Sequence, residues 1–215
     1  MSRGHIALLG DSIFDNGAYT RGEPDVESHL GAVLPEEWQV TLCAVDGATI
    51  SALRGQLAQV PPGATHLVVA IGGNDVLQHT DLLDLRVSSS SVFLAMIADR
   101  VDAFEAAYRA ALTPVLALAR PTVLCTIYNG NLEASLAPAA RVALTPFNDA
   151  ILRFAVQRSL TAIDLRLVCD DPADYANPIE PSGPGGLKIA RAIAVAVAAT
   201  PGPGPAAIHG SPDVR

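Results

Sequence analysis

The feature that most constrains this chain is an alternation of short runs rich in β-branched residues with longer stretches compatible with a helix. The runs are "HIALLG" (His5–Gly10), "QVTLCAV" (Gln39–Val45), "THLVVAIG" (Thr65–Gly72), "PTVLCTIY" (Pro121–Tyr128) and "LTAIDL" (Leu160–Leu165). Strands alternating with helices read as βαβ units in a parallel sheet covered on both faces. Helices are expected over Asp25–Leu34, Ile50–Ala58, Val92–Leu118, Ala137–Gln157 and Gly186–Ala199. In the third of these, Val101, Phe104, Tyr108, Ala111, Leu112 and Val115 recur at helical steps. Asp99, Asp102, Glu105 and Arg109 fall between them, so one face is apolar and the other charged. A bend is expected at Pro114, and Ser88–Ser91 reads as a loop or a helix N-cap. Right-handed crossovers then give an α/β fold, a three-layer α/β/α sandwich with five strands.

A chain of 215 residues is short enough for one core, so residues 1–200 are expected to form a single domain. The remainder, "PGPGPAAIHGSPDVR", is rich in Pro and Gly and poor in large apolar groups. It is expected to be a disordered tail. Half the residues are hydrophobic and mean hydropathy is +0.32, yet no stretch reaches the roughly 18 apolar residues of a membrane span. With no signal-like segment at the N-terminus, the expected location is cytoplasmic, with no membrane partner. Net charge is −8 and no basic patch is visible, which argues against nucleic acid. Cys43, Cys125 and Cys169 lie far apart, mostly in apolar runs, and read as buried reduced thiols.

Open parallel sheets bind ligands outside the C-terminal ends of their strands, so the loops after each run are where chemistry belongs. After the first run, "GDSIFDNG" offers a sharp turn at Gly10 and the hydroxyl of Ser12. After the second, Gly47 lets a backbone N–H approach a ligand closely. After the third, "GGND" presents the side-chain amide of Asn74. Taken singly these are a helix cap, a turn glycine and an Asx cap. Together they supply a nucleophile and oxyanion donors at neighbouring strand ends, which acyl transfer requires.

On these motifs, "GDS" at Gly10–Ser12, the glycine at Gly47 and "GGND" at Gly72–Asp75, the chain resembles the SGNH (GDSL-like) hydrolase superfamily. The resemblance implies a flavodoxin-like parallel sheet of order 2-1-3-4-5 and Ser12 as nucleophile. It also implies an oxyanion hole made by the Ser12 amide, the Gly47 amide and the Asn74 side chain. The family's fourth block is an Asp-x-x-His pair leading into the last helix. Here "NPIEPSGPGG" occupies that frame, with Asn177 at the Asp position and Glu180 at the His position. The exchange is chemically matched: a His needs an acceptor beside it, whereas a Glu needs a donor, which Asn177 can supply.

Several other readings of these residues stay open. Glu180 can instead pair with Arg166 or cap the following helix, and His79, five residues beyond Asn74, can stand in as an outside base. Asp11, Asp15 and Asp75 can form a carboxylate cluster for a divalent metal, although loop-holding hydrogen bonds explain Asp11 and Asp75 equally. Asp11, Asp75, His79, Tyr128 and Asn129 are expected around the substrate. The resulting expectation is a cofactor-free serine hydrolase of a small-molecule ester, with Ser12, Gly47, Asn74, Glu180 and Asn177 as its machinery. The alternatives are an inactive ligand-binding module on the same fold and, third, a carboxylate-metal phosphoesterase.

Overall fold

The computed structural model describes residues 4–199 and 206–211. Strands β1 (His5–Gly10), β2 (Gln39–Leu42), β3 (His66–Ala70), β4 (Thr122–Cys125), β5 (Thr161–Ile163) and β6 (Ile208–His209) form one sheet. Its order is β2-β1-β3-β4-β5-β6 and every neighbouring pair is parallel. The expected order therefore holds, but the expected five strands become six. The added strand comes from the segment read as a disordered tail, so that reading fails for residues 206–211. The reason is backbone chemistry: Ala162 N–H and Asp164 N–H on the edge of β5 donate to the carbonyls of Ala207 and His209, both at 2.7 Å. A run this short carries no periodicity by which a strand could be recognised.

The sheet is buried on both faces, as a parallel sheet must be. Alternate residues point to opposite sides, so Ile6 and Leu8 of β1, with Val68, Val123 and Ile163, pack under α1 (Val26–Val33) and α6 (Gly183–Ala198). Ala7, Leu9, Leu67, Val69 and Leu124 face the other way, against α2 (Leu53–Leu57), α4 (Ser90–Leu116) and α5 (Ala137–Gln157). A further short helix, α3 (Gly73–Leu77), stands where only a turn was expected. Side chains cap the N-termini of α1, α4 and α6: Asp25 accepts from Ser28 N–H, Ser89 from Val92 N–H and Ser182 from Gly185 N–H. Pro114 lies inside α4, which runs on to Leu116. Cys43, Cys125 and Cys169 are buried and unbridged. Among the described residues no helix is long and apolar enough to cross a membrane.

The end of β1 sets the position of everything that follows. Gly10 has φ +143°, and Asp11 N–H immediately bonds the carbonyl of Ala70 at 3.1 Å. The buried side chain of Gln56 clamps Gly10 from α2, giving 2.7 Å to its carbonyl and receiving its N–H at 2.8 Å. A β-carbon at Gly10 would collide with the Ala70 carbonyl, in a backbone region that L-residues rarely adopt. Gly10→Ala is expected to destabilise the fold by about 3 kcal/mol or more, seen as a lowered urea midpoint with an unchanged slope.

Candidate active site

Ser12 sits in the turn after β1, buried, and its Oγ donates to Oε1 of Glu180 at 3.1 Å. The two residues are 168 positions apart, and the sheet order alone brings their loops together. Arg166 does not compete for Glu180. It is engaged by Asp164, one residue beyond β5, through bonds of 2.8 and 2.6 Å, and Asp164 also accepts from Thr126. Neither expected structural role of Glu180 is present, because the cap of α6 is the Ser182 hydroxyl.

Asn177 does not play the expected part. Its Oδ1 accepts the backbone N–H groups of Ile179 and Glu180, each at 2.9 Å, and no bond runs from its amide to the carboxylate. An Asn side chain two or three residues before free amides closes on them locally, and here that competition wins. Glu180 Oε2 is consequently buried without a partner. Burial therefore dominates the carboxyl group, and its pKa is raised above the ordinary value despite the hydrogen bond from Ser12, with Asp46 adding a smaller push upward. A carboxylate made more basic in this way is better suited to accept a proton than the donor-paired one expected.

The loop that carries Glu180 is fastened on every side. Tyr128 hydroxyl donates to the Ile179 carbonyl at 2.6 Å, Asn131 N–H to the Pro178 carbonyl at 2.8 Å, and Ala176 N–H to the Glu180 carbonyl at 2.8 Å. Asn16, fully buried, donates to the Pro181 carbonyl and accepts from Val26 N–H, tying the nucleophile loop, the base loop and α1 together. Asn16 and Gln56 are positioning residues that the motifs did not reveal. The one hint in the sequence was a lone amide side chain within or behind a strand-end loop.

On the other side of Ser12, the turn from Val45 to Ala48 places Gly47 at φ +74°, a conformation that turns the peptide and that glycine adopts without strain. Asn74 Nδ2 donates to the Ala48 carbonyl at 2.9 Å, which ties this turn to α3 and uses one of the two amide hydrogens. Among the described residues the backbone N–H groups of Ser12 and Gly47 have no protein acceptor.

A cavity of about 190 Å³ opens beside Ser12. Its wall brings together Ser12, Asn74, Glu180, Asp11, His79, Tyr128 and Asn129, but not Gly47, Asp75 or Asn177. Asp75 is corrected from a substrate contact to a loop anchor: its carboxylate accepts Ile50 N–H at 2.9 Å. Asp11 holds its own turn by accepting Ile13 N–H at 3.0 Å, and its other oxygen is buried without a partner. Burial raises its pKa to about 7, with Glu180 and Asp75 contributing repulsion against the Ile13 bond. Asp15 is spent on the Asp46 N–H. The three aspartates thus serve separate loops, and among the described residues no group of three or more His, Cys, Asp or Glu converges as a metal site.

A parallel sheet of this order, with Ser12 and Glu180 meeting over its C-terminal edge, is the α/β/α architecture expected of SGNH-type hydrolases. Residues 8–185 match the GDSL-like lipase/acylhydrolase family, and the chain belongs to it. Solved structures with the same fold include an extracellular lipase from Streptomyces rimosus, 17% identical over 92% of this chain and 99% of the lipase, TM-score 0.61. A phospholipase A1 from Streptomyces albidoflavus is 14% identical over 93% of this chain and 100% of the phospholipase, TM-score 0.65. An acetylxylan esterase from Geobacillus stearothermophilus is 22% identical over 92% of this chain and 96% of the esterase, TM-score 0.62. No curated protein matches the chain.

Proposed function

We propose that the protein is a serine ester hydrolase whose general base is Glu180 in place of the customary histidine. The observation that carries this reading is the 3.1 Å hydrogen bond from Ser12 Oγ to a buried, otherwise unpartnered carboxylate. Glu180 takes the Ser12 proton as Oγ attacks the ester carbonyl carbon. The oxyanion is met by the Ser12 and Gly47 amides and the second amide hydrogen of Asn74. On collapse, the Glu180 proton passes to the departing alkoxide, leaving an acyl-serine. Water then repeats the sequence with Glu180 as base and releases the acid. Asn177 acts through the backbone, holding the Glu180 peptide. His79 is a weaker candidate for the base, because Arg100 occupies its Nδ1 and its pKa is lowered by burial and by that guanidinium.

A serine-directed fluorophosphonate tests the reading directly. One equivalent is expected to attach at Ser12, with the rate reduced by two or more orders of magnitude, roughly, in Glu180→Gln. No attachment, combined with tight retention of a small ester, would favour an inactive binding module instead.

A further inference from the structure

The cavity beside Ser12 is walled mainly by apolar side chains, among them Val76, Leu82, Leu83, Leu144 and Phe147, and among the described residues neither lysine nor arginine lines it. One polar edge is nevertheless built into that wall. The His79 ring stacks on Phe147, with centroids 6.0 Å apart and planes 20° from parallel. Its Nδ1 lies 2.7 Å from Nη1 of Arg100 on α4, which in turn reaches Asp81 at 3.4 Å. A guanidinium can only donate, so Nδ1 must be the acceptor and the ring hydrogen must sit on Nε2. Burial and the Arg100 charge lower the pKa of the ring against the opposing pull of Asp81 and Asp75. Among the described residues Nε2 has no protein partner.

The direction of the substrate follows from the chemistry. Glu180 must return its proton to the alcohol oxygen, so the alcohol part faces Glu180. The acyl part is then left the rest of the cavity, which Val76, His79, Leu82 and Leu83 line. A plain alkyl chain there would cover the Nε2–H and leave it without an acceptor, which is costly in an apolar wall. We propose that His79 reads the substrate, and that the preferred acyl group is an otherwise apolar chain bearing one oxygen acceptor, a keto or hydroxyl group. The inference rests on the proposed role of Glu180 as the base that returns its proton to the alcohol, with Arg100 as the positioning residue that fixes the tautomer.

The test compares ethyl hexanoate with hexanoates carrying a keto group at successive carbons. In Ser12→Ala protein, binding is measured by calorimetry; in the unaltered chain, kcat/KM is measured for the same set. One keto position is expected to be favoured by about tenfold or more in both. The ratio is expected to fall to near one in His79→Phe and to be partly kept in His79→Gln, whose amide still donates. In Arg100→Met any pH dependence of the ratio should move to higher pH than in the parent, since burial then opposes Asp81 and Asp75 without the help of the guanidinium. Equal binding of plain and keto esters at every position, or a preference unchanged in His79→Phe, overturns the proposal. A binding preference without turnover would sink the hydrolase reading and leave this one standing; turnover without preference would do the reverse.

Discussion

Ser12→Ala is expected to lower kcat for ester hydrolysis by at least about a thousandfold while leaving KM within a few-fold of its starting value. Removing the nucleophile removes the covalent route entirely, so the residual rate is whatever water attack gains from the oxyanion donors and from substrate binding. Those donors do not depend on the hydroxyl. Two of them are backbone amides, and Asn74 is held by the Ala48 carbonyl. The fold should survive, because the only side-chain bond lost is the one from Oγ to Glu180. Leaving Glu180 without its last hydrogen-bond donor should raise its pKa further. A variant that keeps full activity would show that Ser12 merely fills the turn, and attention would then shift to the carboxylates of the cavity.

Glu180→Gln should be nearly as damaging, with a loss in kcat of about a hundred- to ten-thousandfold and little change in KM. Gln has the same shape and can still accept the Ser12 hydroxyl, but it cannot take the proton away. The pH profile supplies a second reading. Glu180 works as a base only when ionised, so activity should rise with pH through its pKa and level off above it. Burial raises that pKa, so the acid limb belongs at a higher pH than an ordinary carboxylate would place it. Asp11 sits in the same cavity, where burial and the Glu180 charge raise its pKa to about 7, so it adds a second titration near neutrality. The profile should therefore be broader than a single titration, and Asp11→Asn should remove the step near neutrality while leaving the Glu180 limb in place. A histidine-like profile that is unchanged in Glu180→Gln would point to His79 instead.

Much of the architecture was legible because it is written in repeated signals. The first five strands each fall within a β-branched run, and the strand-end glycines mark where the chain turns toward the site. Ser12 and Asn74 could be expected on one cavity wall because a parallel sheet gathers its C-terminal loops whatever their sequences. What could not be read were single side chains whose role depends on distant backbone. Asn177 looked like a donor to a carboxylate, but its nearest unsatisfied partners were two amides of its own loop. Asn16 and Gln56 look like any surface amides until the fold buries them. Asp164 claims Arg166 across a gap of two residues, which local spacing allows but does not demand. Asp75 stands beside Asn74, yet the first turn of α3 directs it to Ile50 rather than into the cavity.

The two-residue strand at the end of the chain has a consequence for how this protein behaves in company. An uncovered outer strand is a template on which a second molecule can add its own backbone, and that is a common route to unwanted assembly. By laying Ile208–His209 along β5, the molecule pairs that flank of the sheet with its own backbone. The backbone groups of β5 that face outward are thus already taken, and the outer strand left to a neighbour is only two residues long.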